Sequence, residues 1–201
     1  RKNREVGGIE IDEHQIKIVH VQQKGMRREF SHVAVHSIHG AHDGGTLPIL
    51  RQALEQFQIV NPRVFLTVPL PQVITRSIEI PSQDPNEIRE IVNLQASRHT
   101  PYARAEIIVD MINLGLVRER YSKILLVIVP KETVNKQIQL LDMAGLRLEK
   151  VIFPPEAVAI VANKMMGHDA DEGAYGVLHM DYAFTSFIVV EGAKIVFVRG
   201  I

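Results

Sequence analysis

"GGIEIDEHQIKIVHV", residues 7–21, alternates apolar and polar side chains on both sides of Asp12-Glu13-His14. Period-two alternation interrupted by such a cluster predicts one strand, a tight turn and a second strand. That shape also cradles phosphates, provided glycine lets the backbone come close and no negative charge faces the ligand. Here the turn carries two carboxylates. The stretch therefore decides the fold and at the same time raises the question of whether a nucleotide is bound.

Working outward, the alternation continues, with strands expected near 6–12, 16–22 and 29–37, the last two separated by "QKGMRR". The chain thus opens on a three-stranded antiparallel meander. Leu47, Leu50, Leu54 and Phe57 fall at i, i+3, i+7 and i+10 and predict a helix from Leu47 capped by Thr46. "RVFLTVP", ending at Pro69, is the next strand. From Val73 to about Leu146 the pattern is that of an inserted β-α-β-β-α unit. It begins with "VITRSIEI" and a helix in which Asp84 is the cap, Pro85 the first position and Glu87 the residue reaching back, with Ile88, Ile91 and Val92 turned to the core. Pro101 stops that helix. "EIIVDMINL" and "KILLVIV" are strands, followed by a helix from Lys131 with Val134, Ile138 and Leu141 on one face and Gly145 suited to the left-handed position that ends it. "EKVIF", a helix from Pro154-Pro155-Glu156 to Gly167 and the polar connector "HDADEGA" complete the pass. The organisation expected is a first subdomain of residues 1–72 plus 147–167, an insertion at 73–146 and a further three-stranded piece at 173–201. This order builds an α/β fold, a mixed sheet with helices on its faces.

The last piece repeats the first. Sliding the chain by 169 positions lays "GIEIDEHQIKIVHV" on "VLHMDYAFTSFIVV", with Ile9 on Leu178, Ile11 on Met180, Asp12 on Asp181, Ile18 on Phe187, Ile188 under Val19 and Val190 under Val21. "GAKIVFVRG" then supplies a third strand in the same place. Three strands without a helix leave one face to be buried by the first half, a partner or further residues, so the intact polypeptide is expected to continue beyond Ile201.

The 201 residues are 46% hydrophobic, enough for a real core. Lys plus Arg and Asp plus Glu are 23 each, so no net field steers the molecule to nucleic acid or an anionic membrane. Cysteine is absent, which excludes disulfides, thiolate metal sites and cysteine nucleophiles. Apolar runs such as "KILLVIVP" fall far short of the ~20 residues a membrane span needs. "HVAVHSIHGAHDGG" brings His32, His36, His39 and His42 near Asp43, the ingredients of a zinc or nickel site. No second ligand cluster accompanies them, and Gly40, Gly44 and Gly45 favour a solvated strand end and loop, so no metal is expected. Glu106, Asp110 and Glu119 could pair for acid-base work, yet they lie on or beside strands and read as solvated faces. No nucleophile elbow, Walker-type loop or dinucleotide fingerprint is present, and no enzyme is predicted.

Five segments, "GGIEIDEHQIKIV", "IEIP", "RHTPYARAEIIVDM", "LLVIVPKETVNKQIQLLDMAGL" and "FIVVEGAKIVFVRG", stand in an order and spacing that resemble the actin-like (ribonuclease H-like) superfamily. Within it the chain looks most like PilM-type proteins of type IV pilus assembly, similar in architecture to the division protein FtsA and the cytoplasmic domain of GspL in type II secretion. In nucleotide-binding members an aspartate is followed by glycine and small hydroxyl residues at both hairpin turns. Carried over, the first aspartate is Glu10, its glycine Asp12 and the next small residue Glu13; in the second turn His179 and Asp181 stand in those places, and Tyr182 and Phe184 where a nucleotide needs room. Thr185 and Ser186 alone match in type. Two like charges at ~4 Å repel by about 1 kcal/mol in water and about 4 near a protein surface, so phosphate would meet an unfavourable turn. The resemblance therefore implies a degenerate nucleotide site, no cofactor, and a non-catalytic cytoplasmic scaffold peripheral to the inner membrane. Its partner would be the N-terminal peptide of a PilN-like single-span membrane protein, in a groove shaped in part by Pro101 and Tyr102. Self-association is compatible, nucleic acid is not implied, and membrane contact would be indirect. The alternatives are an actin-like ATPase completed by a second half, and a GspL-like protein with a membrane span downstream.

Overall fold

A computed structural model describes residues 5–38, 45–59, 62–167, 173–182, 184–192 and 194–201. The opening stretch forms β1 (Val6–Ile11) and β2 (Gln15–Lys24), antiparallel from Val6↔Val21 to Ile11↔Ile16, and β3 (Arg27–Ser37) adds to β2. β4 (Arg63–Thr67) lies parallel to β1, and β8 (Arg147–Ile152) parallel to β4, giving the mixed order β3-β2-β1-β4-β8. Parallel neighbours need crossovers. The segment joining β1's meander to β4 contains α1 (Thr46–Gln56), and α3 (Lys131–Met143) precedes β8. Ile9, Ile11, Ile16, Ile18, Val64 and Leu66 turn one face toward Leu50, Ala53 and Leu54 of α1 and Leu141 of α3. Thr46, expected as the cap, is instead the first helical residue and is buried, and Gly45 holds the cap position without a side-chain bond.

The second compact unit is built on β5 (Ile74–Ile80), β6 (Ile107–Leu116) and β7 (Ser122–Pro130), antiparallel in the order β5-β7-β6. α2 (Pro85–Gln95) covers one face, where Ile88, Val92 and Ala96 meet Ile124, Leu126 and Ile128. Asp84 caps it through Asn86 N–H (2.8 Å) and Glu87 N–H (3.0 Å). Glu87 does reach back, but through a relay: its carboxylate takes the Ser82 hydroxyl (2.5 Å), and Ser82 Oγ accepts from Asp84 N–H (3.1 Å). The opposite face of β7 is covered as well. Leu125 packs with Ala159 of α4 (Pro154–Met166) and with Ile188, Val190, Ile195 and Val198 of the meander β9 (Ala174–Met180), β10 (Thr185–Glu191) and β11 (Lys194–Gly200). A strand buried on both faces reads as a continuous apolar run, which is what "KILLVIV" is.

The two units are residues 1–69 with 134–152, and 70–133 with 153–201. They differ from the boundaries at 72/73 and 146/147 in two helices. α3, expected in the insertion, sends Leu141 into the first core, and its Gln137 Nε2 donates to the carbonyl of Ile11 at 3.3 Å. α4, expected in the first subdomain, buries Ala159 in the second. Gly145 at φ +75° ends α3 as expected, returning Leu146 N–H to the Leu141 carbonyl at 2.9 Å.

The meander at 174–200 has the register of the first. Ile9↔Ile18 becomes Leu178↔Phe187, Ile11↔Ile16 becomes Met180↔Thr185, and the turn bond Asp12 N–H to Gln15 O (3.1 Å) becomes Asp181 N–H to Phe184 O (2.9 Å). The buried face is the opposite one. Ile9 and Ile18 are core, whereas Leu178 and Phe187 are exposed and their neighbours Ile188 and Val190 are buried. One face of the meander is thus covered, by α4 and the sheet of the insertion, while the face of Leu178, Met180 and Phe187 stays exposed.

Candidate functional site

The first turn spends its backbone donors on itself. Asp12 Oδ1 accepts the N–H of His14 at 2.6 Å and of Gln15 at 2.8 Å. In a phosphate loop such N–H groups would point at the ligand. Here the Asp12 carboxylate accepts them instead. Glu10 pairs across the strands with Lys17, Nζ to Oε1 2.6 Å. Glu13 is exposed.

In the second turn Asp181 Oδ1 accepts the N–H of Tyr182 at 2.7 Å, and the ring of Phe184 stands edge-on to His179 with centroids 6.0 Å apart. Tyr182 projects into solvent, and Ser186 is buried. The two residues matching the nucleotide-binding pattern in type are therefore strand residues, one of them inside the core.

Of the histidines, His32 and His36 lie on the core side of β3 against Phe57 at the end of α1, with centroids 4.6 and 6.4 Å away. This corrects the reading of a solvated strand end for those two. His39, His42 and Asp43 lie outside the described residues. His20, which sequence reasoning passed over, is fully buried, stacks on His32 at 6.0 Å and shares a 2.7 Å hydrogen bond between Nδ1 and Ser31 Oγ. Burial lowers its pKa and His32 adds to that, while Glu5 opposes it. Glu106 Oε2 takes Ala103 N–H (2.8 Å) and Asp110 Oδ1 takes Met111 N–H (2.8 Å), while Glu119 gives its carbonyl to Gln83 Nε2 (2.8 Å). Each has a local task. Pro101 and Tyr102 are exposed in a turn pinned by Arg104, whose Nη2 reaches Asn93 Oδ1 at 2.9 Å.

A groove of about 640 Å³ lies elsewhere in the second unit. Ile112, Leu114 and Leu116 at the end of β6 form one wall, Ala159 and Ile160 of α4 another, and Ile195 with Val196 of β11 a third. Glu156, Glu191 and Lys194 supply its charges. Its size and apolar lining are those of a site for a small or extended ligand. β6 is an edge strand, but the N–H groups of Met111 and Gly115 are already taken by Asp110 Oδ1 (2.8 Å) and Asn113 Oδ1 (2.9 Å). Such self-capping blunts an edge against strand addition. An occupant would be held by side chains instead. Pro101 and Tyr102 are not among the lining residues. The sequence signals only part of this: the doubly buried run of β7 implies cover on the far side, but not that α4 leaves Ile160 exposed.

A family model for the type IV pilus assembly protein PilM matches residues 8–200. The chain belongs to the PilM family. Among solved structures, this PilM-family chain is similar to one of a "PilM-PilN type IV pilus biogenesis complex", at 22% identity and TM-score 0.78, covering 98% of this chain and 61% of that one. It also resembles the cytoplasmic domain of EpsL, an inner-membrane component of the type II secretion system of Vibrio cholerae, at 11% identity and TM-score 0.60, covering 98% and 71%. A Bacteroides thetaiotaomicron protein with an actin-like ATPase fold and unknown function follows at 7% identity and TM-score 0.53, covering 98% and 70%. These likenesses fix an actin-like fold, and the chain spans about three fifths of the first structure's length. No curated protein sequence matches the chain. Among the described residues no helix is long and apolar enough to cross a membrane.

Proposed function

We propose that this chain belongs to a non-catalytic scaffold of a type IV pilus inner-membrane assembly, lying on the cytoplasmic side and binding the N-terminal cytoplasmic peptide of a PilN-like membrane protein. The observation that carries the reading is the groove beside β6. It is largely apolar, it is large enough for a short segment, and two of the β6 amides beside it are already bonded, which favours recognition through apolar side chains. Membership of the PilM family supports the assembly role. The turn at Asp12 supports the non-catalytic part, because the N–H groups a triphosphate would need are bonded to a carboxylate.

Calorimetric titration of the full-length protein with N-terminal peptides of single-span proteins encoded beside it tests the reading. One such peptide should bind, and Leu116→Glu and Ile160→Glu, both at exposed positions, should each weaken it by about 10- to 100-fold, the equivalent of the ~1.5–3 kcal/mol a buried aliphatic side chain contributes. Uniform absence of binding removes the scaffold reading. A parallel titration with ATP and magnesium should show no micromolar affinity; finding one would restore the ATPase alternative.

A further inference from the structure

The β2–β3 hairpin runs past the sheet that holds its base. β1 pairs with β2 only as far as Val21, whereas β2 and β3 stay paired to Lys24↔Arg27. Among the described residues, 22–29 pair only with each other, a two-stranded ribbon running roughly 10 Å past that point at ~3.4 Å per residue. Gly25, at φ +66°, makes the turn, and Met26 beside it is 100% exposed.

A bulge sets which side chains share the outer face. His20 pairs with His32 and Val21 with Phe30, so Ser31 has no partner, and its hydroxyl closes the irregularity on the His20 carbonyl at 3.1 Å. A bulge of this kind re-aims the strand beyond it. Phe30, opposite Val21, and Arg28, opposite Gln23, thereby join Val33 on the face turned away from His20 and the core. Phe30 is 76% exposed. Arg27 and Arg28 are exposed, and neither has an ion-pair partner among the described residues.

We propose that this hairpin tip is a lipid contact, with Met26 and Phe30 entering the headgroup layer of an anionic bilayer and Arg27 and Arg28 bonding its phosphates. A projecting point with an exposed apolar side chain beside two exposed arginines suits a surface that is apolar beneath a layer of anions. A zero net charge does not oppose this, because fields are screened within ~8 Å at physiological salt and only the local cluster acts. The contact is direct, unlike the partner-mediated one implied by the family resemblance.

Co-sedimentation of the full chain with phosphatidylglycerol-containing vesicles, against pure phosphatidylcholine, tests it. Binding to the anionic vesicles alone is expected, weakening as salt rises. Arg27→Gln with Arg28→Gln should weaken it about 25-fold, at roughly fivefold per charge, and Met26→Asp should weaken it further. These side chains touch no core, so the variants should melt with the parent protein, which separates lost binding from lost folding. Binding to neither vesicle, equal binding to both, or binding unchanged in the variants overturns the proposal. So does finding that the same variants instead abolish self-association in sedimentation velocity or binding to RNA.

Discussion

Replacing Asp12 tests the point on which the functional reading turns. Its carboxylate accepts two backbone N–H bonds, at 2.6 and 2.8 Å, inside a four-residue turn that one backbone bond at 3.1 Å also closes. Hydrogen bonds to a charged group are worth about 1.5–3 kcal/mol each where water is excluded, and truncating a carboxylate that caps backbone donors costs about 0.5–2. Asp12 is only half-buried, so water regains part of the loss, and Asp12→Ala should destabilise the first unit by about 1–2 kcal/mol. Asp12→Asn keeps an oxygen in the same place and should cost less than half as much. Urea unfolding gives the stability, and hydrogen exchange of the His14 and Gln15 amides gives the local opening. About 1.4 kcal/mol is tenfold in an equilibrium, so those two amides should exchange roughly 5- to 30-fold faster in the alanine variant. If their rates and the midpoint stay unchanged, the carboxylate does not hold the turn. The amides would then be free for a phosphate, and the argument for a degenerate site would fall.

Three further outcomes follow from packing and protonation. Leu125→Ala and Leu126→Ala, adjacent on β7 and facing different cores, should each cost about 2.7–5 kcal/mol in chemical unfolding, whereas a sheet covered on one side only would spare one of them. Gly145→Ala forces a side chain into φ +75° and should cost about 1 kcal/mol in the same assay. His20 has a lowered folded-state pKa, chiefly from burial, so below its ordinary value of 6.5 the unfolded chain binds more protons than the folded one. Its contribution to stability is whole above pH 6.5 and is lost as pH falls below it, and melting temperatures across pH 5 to 8 should decline on the acid side less steeply in His20→Gln.

Strand positions were legible because a period of two survives any context. Every predicted strand is present within one to three residues, and Asp84, Pro85 and Gly145 act where their chemistry assigns them. Partnership was less legible. Gln137 and Leu141 look like one helix face in sequence, but nothing local says that the face belongs to a sheet whose first strand lies 126 residues away. Thr46, the expected cap, is instead buried within the first turn, and the helix begins one residue early. His20, in an alternating run, gives no sign of being buried until β3 and α1 close over it. At the candidate site the turn chemistry was readable residue by residue, while the groove was not, because it is assembled from β6, α4 and the β10–β11 hairpin.

The repeat shows why register and function part company. Two meanders 169 residues apart share strand pairings and the same turn bond, yet bury opposite faces. Register is set within the hairpin by backbone bonds and the turn. The core face is set from outside, by whichever helix or sheet reaches it: α1 and α3 for the first meander, α4 and the β5-β7-β6 sheet for the second. The turn is exempt from that external choice, since its amides are used locally or left for a ligand. Both turns here use them locally, Asp12 taking the N–H groups of His14 and Gln15 and Asp181 that of Tyr182. A carboxylate in each turn thus closes it through local backbone bonds, and the strand pairs on either side keep the same register.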